Sequence, residues 1–201
     1  MNDTLLPIAG LLMVAFITPG PNNIIVMGAA ARGGFNQAVP IMIGIILGTV
    51  TLYLLALAGL AQLLGDYRMI GDFLLVAGVA YLAVLGLRMI TLQTNSFPIQ
   101  KVTPDPSPFG IALFQGMNPK SVILITTVAV ATSDSIEILP IVLGVIVITA
   151  AVCLTIWAMA GSVLSAWLAS SVRRRMFDVV MGLLLITSAI ILLLYGWGDI
   201  R

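Results

Sequence analysis

Histidine is missing from all 201 residues, cysteine occurs once, at Cys153, and Asp, Glu, Lys and Arg together make up 8% of the chain. Each shortage closes a class of function. Without histidine there is no HExxH-type zinc site and no histidine-based triad. A lone cysteine excludes a disulfide framework, a CxxC redox or metal pair and a two-thiol relay. Soluble domains carry about 25% charged residues, so this chain lacks the polar surface needed to face water. A formal net charge of +1 leaves no case for nucleic acid as a partner.

What is present is apolar. The chain is 60% hydrophobic with a mean hydropathy of +1.15, which marks an integral membrane protein. Six apolar runs of bilayer-crossing length can be drawn, over residues 5–31, 38–64, 70–92, 109–131, 138–160 and 177–197. The first starts with MNDTLLP, which has no basic n-region, so it is expected to be a retained span and not a cleaved signal peptide. The stretch 161–172 either prolongs the fifth run or lies at the interface. Residues 93–108 hold prolines at 98, 104, 106 and 108 and read as a linker. A single transmembrane domain is therefore expected, with one repeat over 1–92 and a second over 109–201.

Loop charges set an orientation. With the N-terminus outside, Arg32, Arg88, Lys101, Arg173, Arg174 and Arg175 fall on the cytoplasmic side, and only Arg68 and Arg201 on the other. Six against two is a positive-inside bias, and it puts both termini outside the cytoplasm.

The first run is interrupted by Pro19-Gly20-Pro21-Asn22-Asn23. Two prolines and a glycine remove a helix's internal bonds, and in hydrocarbon the freed backbone groups must be satisfied by protein, water or ligand. A shift of 96 residues superimposes Gly20 on Gly116, Asn22 on Asn118, Gly48 on Gly144 and Gly86 on Gly182. The second break is thus Gly116-Met117-Asn118-Pro119-Lys120, in which Asn118 suits a helix cap and Pro119 the first helical position. Three crossings per half would insert the second half upside down. The expected fold is all-α: six transmembrane helices as two inverted three-helix repeats, each with a broken first helix. Paired breaks of that kind point to a midplane binding site, with two half-helix N-termini offering amides to a carboxylate.

Lys120 is the one formal charge deep in a run, and an ammonium there needs an anion or must shed its proton. It is a candidate both for holding a substrate carboxylate and for proton coupling. Asn22, Asn23 and Asn118 are the other candidate substrate contacts, with Gln115 and Tyr81 as further polar lining groups. Pro19, Gly20, Pro21, Gly116 and Pro119 shape the breaks, and Gly44, Gly48 and Gly144 read as close helix-packing positions. Arg173–Arg175 read as a topology anchor, and Asp66, Asp72, Asp134, Glu137 and Asp178 as groups at span ends or in loops.

These residues resemble a known family. Pro19-Gly20-Pro21-Asn22-Asn23, Arg32-Gly33-Gly34, Gly44 and Gly48, Ala80-Tyr81-Leu82 with Gly86, and Asn118-Pro119-Lys120 are together similar to the lysine-exporter (LysE/RhtB-type) family of amino-acid exporters. The likeness runs along nearly the whole chain; residues 121–131 depart from it in lacking an aromatic-rich run and a closing proline. It implies efflux of amino acids or close relatives from the cytoplasm, driven by the proton gradient, across a bacterial inner membrane. The expected partners are a small-molecule substrate, protons and the lipid bilayer, with self-association left open; no cofactor and no metal is expected. A metal-ion exporter of similar design is the alternative, but it would want carboxylate, His or Cys ligands in the spans. A membrane assembly protein is a third reading. An intramembrane enzyme would need a nucleophile with its base, or paired aspartates.

Overall fold

The computed structural model describes residues 2–60, 68–91, 107–116, 118–133, 136–167 and 170–198. Among them the chain is helical throughout, with no strand. The order is α1 (Asn2–Ile17), α2 (Pro21–Gly33), α3 (Phe35–Leu55) with a π-helical turn (Ala56–Leu60), α4 (Arg68–Thr91), α5 (Pro108–Gln115), α6 (Pro119–Thr132), a 3-10 turn (Ile136–Ile138), α7 (Leu139–Leu164) and α8 (Ser171–Gly198). The proline linker expected over 93–108 lies outside the described residues except for Ser107 and Pro108. Gly161–Leu164 belongs to α7, so the ambiguous stretch 161–172 begins as helix and then leaves it.

Among the described residues, two spans are long and apolar enough to cross a bilayer alone, Phe35–Gly59 and Leu139–Leu164. Leu5–Ile17 and Pro21–Ala31 add a third if taken together, bent by 52° at the Pro19–Pro21 break. Val76–Thr91 and Pro119–Thr132 are apolar but shorter. At 1.5 Å per residue, a helix of α2's length reaches only about 20 Å, short of a hydrocarbon core of about 30 Å. A broken helix therefore needs both of its pieces to make one crossing.

Large apolar side chains such as Leu6, Val14, Leu47, Phe73, Ile148 and Leu194 point outward. That is how a lipid-facing surface is built. The core forms around α2, whose residues from 21 to 30 are all buried. Ile24, Val26, Met27 and Ala30 pack into one cluster with α3, α4, α7 and α8. A second cluster joins α1, α3, α6 and α7. The turn from α2 into α3 is a single residue, Gly34, whose φ of 78° suits glycine and little else.

Helix contacts run across the halves. α3 lies on α5, α7 lies on α1 and α2, and α4 packs along α8. The GxxxG glycines mediate the first of these: a Cβ built at Gly44 would sit 2.5 Å from the Pro108 carbonyl oxygen, and one at Gly48 the same distance from that of Ala112. Gly144, expected to pack in the same way, has nothing within 4 Å of such a Cβ. The correction has a plain cause: α7 is packed at that level through Val142 and Ile146, both fully buried, and Gly144 falls on the opposite face of the helix. Gly48→Ala is accordingly expected to cost about 1–3 kcal/mol through overpacking, while Gly144→Ala gains about 0.5–1 kcal/mol of helix propensity. Thermal unfolding in detergent checks the pair, and equal shifts for both variants would refute the assignment.

Candidate functional site

The first break leaves the carbonyls at the end of α1 without helical partners, and four helices supply donors to them. Asn23 Nδ2 on α2 donates to Phe16 O at 2.9 Å and Thr18 O at 2.7 Å. Trp157 Nε1 on α7 donates to Ile17 O at 3.3 Å, and Ser188 Oγ on α8 to Pro19 O at 3.4 Å. From α6, Lys120 Nζ donates to Thr18 O at 3.0 Å. Break one is thus braced by the rest of the chain, as backbone in a low-dielectric interior requires. An ammonium at the start of a helix opposes that helix's own dipole, and the last contact offsets this. The Lys120 ammonium reaches the carbonyl end of α1, where the helix dipole is negative.

Each break hands over to a helix begun by proline. Gly20 precedes Pro21, and Ile24 N–H makes the first helical bond, to Gly20 O at 3.1 Å. Asn118 precedes Pro119, and Val122 N–H bonds Asn118 O at 2.9 Å. The amides of Asn22, Asn23, Lys120 and Ser121 therefore come before the helical ladder and carry the positive ends of both dipoles. Asn118 holds the N-cap position, but its side chain does not cap. It turns instead to the other break.

Asn22 and Gln115 exchange amide hydrogen bonds, Asn22 Nδ2 to Gln115 Oε1 and Gln115 Nε2 to Asn22 Oδ1, both at 3.0 Å. Asn118 Nδ2 donates to the same Asn22 Oδ1 at 3.2 Å, and Ser121 Oγ to Gln115 Oε1 at 2.8 Å. All four side chains are buried, Gln115 completely. Asn118 Oδ1 has no partner, so the network keeps one acceptor in reserve. Ser121 was not singled out from the sequence; its place one turn into the half-helix, beside Asn118 and Lys120, is the signal that would have found it.

A cavity of about 20 Å³, room for roughly one water, lies against Gly20, Asn22, Asn23, Asn118, Lys120 and Ser121. That space is too small for an amino acid. Tyr81 does not join them. It lines a separate cavity of about 240 Å³ with Gly78, Phe114, Gly116, Pro119 and Val122, on the other side of the second break. Its ring meets Phe114 edge-on at 6.1 Å, and its hydroxyl has no partner.

Asp178, read as a span-end group beside three arginines, is 6% exposed, on the helix that packs along α4. The arginines themselves are partly engaged: Arg173 Nε donates to Trp167 O at 2.7 Å, and Arg175 donates to Ile90 O.

An apolar exterior around a buried polar cluster, with a lysine where two broken helices meet, is the layout of a membrane translocator. The comparisons agree with that class. The family described as LysE type translocator matches residues 13–196, which include both breaks, and the chain belongs to that family. It is an integral membrane transporter and not an enzyme. It is 31% identical over 159 residues to a "Cysteine/O-acetylserine efflux protein" of Salmonella paratyphi A, covering 74% of this chain and 77% of the relative. The Salmonella typhi protein of that name gives the same figures, and the Salmonella typhimurium one is 30% identical over the same lengths. No solved structure matches the chain.

Proposed function

We propose that this transporter exports amino acids, or related small zwitterions, from the bacterial cytoplasm across the inner membrane in exchange for protons. The observation that carries the reading is the four-residue amide network joining the two breaks, with the Lys120 ammonium and the unladdered amides beside it. In the open site the carboxylate is held by Lys120 and the amides of both half-helices, and Asn118 Oδ1 takes an N–H from the substrate's ammonium. Asn23 keeps the break in shape. Relatives named for cysteine and O-acetylserine efflux suit such a site, because both molecules share the α-amino acid head.

In this reading the chain is one domain of two inverted three-helix repeats. One repeat comprises α1 to α4 and the other α5 to α8, and both termini lie outside the cytoplasm. Two contacts between positions 96 residues apart support it. Asn118 bonds Asn22 at 3.2 Å, and Gly86 and Gly182 face one another, a Cβ on either lying 2.6–2.7 Å from the other's carbonyl oxygen. Packing of α3 on α5 is mirrored by packing of α7 on α1. A symmetric arrangement of this kind lets a site at the shared centre open to either side.

Efflux of labelled cysteine and O-acetylserine from cells overproducing the protein tests the function. Export is expected to exceed that of control cells and to collapse on adding an uncoupler. Export equal to the control would overturn the reading, and uncoupler-insensitive export would overturn its proton coupling.

A further inference from the structure

Asp178 has no part in the substrate site, yet it is a costly side chain to bury on α8, the helix that packs along α4. One carboxyl oxygen, Oδ1, is buried with no hydrogen-bond partner. A carboxylate in that condition loses its hydration without full compensation, whereas a carboxylic acid loses far less. The residue 96 positions earlier, Leu82, is equally buried in the same core. An apolar side chain therefore serves that packing position, and a carboxyl group there asks for another reason.

The surroundings supply one. Arg175 Nη1 is likewise buried without a partner, while its other terminal nitrogen donates to Ile90 O on α4. Residues 175, 178 and 182 share a face of α8 by helical spacing. Ile90 lies against both ends of that face, since its side chain is 2.7 Å from a Cβ built on Gly182. Among described groups, the charges acting on Asp178 are Arg174 and Arg175 of its own helix. From α4 it faces the turn around Ile90, whose buried neighbour Met89 is apolar and whose Arg88 is exposed. The acceptor and the donor are thus held apart by an α4 carbonyl, next to the glycine crossing where the two helices come closest.

We propose that Asp178 carries the exchanged proton. With Arg175 on the Ile90 carbonyl, the buried Asp178 carboxyl has its higher proton affinity and takes up a proton. When α8 shifts on α4, Arg175 Nη1 reaches the carboxyl group, and the O–H proton leaves to cytoplasmic water. The carboxylate regains a proton admitted from the external side through the outward-open transport path once Arg175 returns to Ile90. Only one O–H bond is made and broken per cycle. The proposal rests on the antiport reading above, and it frees Lys120 to remain a cation that binds substrate.

Purified protein in proteoliposomes, with cysteine and O-acetylserine as probes, tests it. Two assays are run: exchange of labelled for unlabelled substrate at equal pH, and uphill transport driven by a pH gradient. Asp178→Asn is expected to keep exchange within about twofold of wild type and to lose gradient-driven transport by at least about tenfold. Asp178→Glu is expected to restore the driven transport. Driven transport at the wild-type level in Asp178→Asn would overturn the proposal. Loss of exchange and driven transport together in both variants would also overturn it, since Asp178 would then be structural. Absence of wild-type exchange for both probes would overturn the export reading itself, and the proposal with it.

Discussion

Replacing Lys120 with methionine is expected to lower amino-acid export by about 10- to 150-fold while leaving the protein folded. The size follows from the loss of one charge-assisted hydrogen bond to a carboxylate, about 1.5–3 kcal/mol. The fold should tolerate the change because the protein partner Lys120 gives up, Thr18 O, still accepts from Asn23 Nδ2 at 2.7 Å. Methionine keeps the unbranched stem of lysine out to the ε position, so the packing of the δ atom, 3.4 Å from a Cβ built on Gly20, is preserved. Labelled efflux and a melting curve on the same variant separate the two effects. A folded Lys120→Met protein that exports at the wild-type rate would remove Lys120 from the site.

The second large effect is expected at Asn22. Asn22→Leu fills similar space but removes the centre of the network, leaving Gln115 Nε2 and Asn118 Nδ2 without their acceptor and Gln115 Oε1 short of one donor. Each stranded group costs about 1–3 kcal/mol when buried, so a loss above about 3 kcal/mol of stability is expected along with export. Asn118→Ala should be far milder for stability, because Asn22 and Gln115 stay paired and Ser121 still bonds Gln115. Unfolding midpoints of the two variants in detergent make the comparison. Equal midpoints would mean that the network does not hold the two breaks together.

These expectations show where sequence reading carries and where it stops. Both breaks were legible, because proline and glycine act on the backbone locally and leave the same mark wherever the helix goes. Pairing Asn22 with Asn118 was legible through the 96-residue shift. Gln115 was visible only as a polar residue beside a break, since nothing local announces a partner 93 positions away. Gly144 misled, because a matched glycine says that a helix can be approached and not that one approaches. Asp178 was hidden by its neighbours: three arginines in a row read as a solvated span end, and only packing against α4 shows that the helix buries the next turn. Tyr81 was grouped with the amides on chemistry alone, and it lines a different cavity, with Phe114 and Pro119.

The central claim is that Lys120 recognises the substrate's carboxylate between the two breaks. Equilibrium binding of cysteine and of cysteamine, which is cysteine without its carboxylate, to wild type and Lys120→Met forms a closed thermodynamic cycle. The account predicts that Lys120→Met weakens cysteine binding by at least about tenfold and leaves cysteamine binding unchanged. Equal effects of the substitution on both ligands, including none on either, would contradict it.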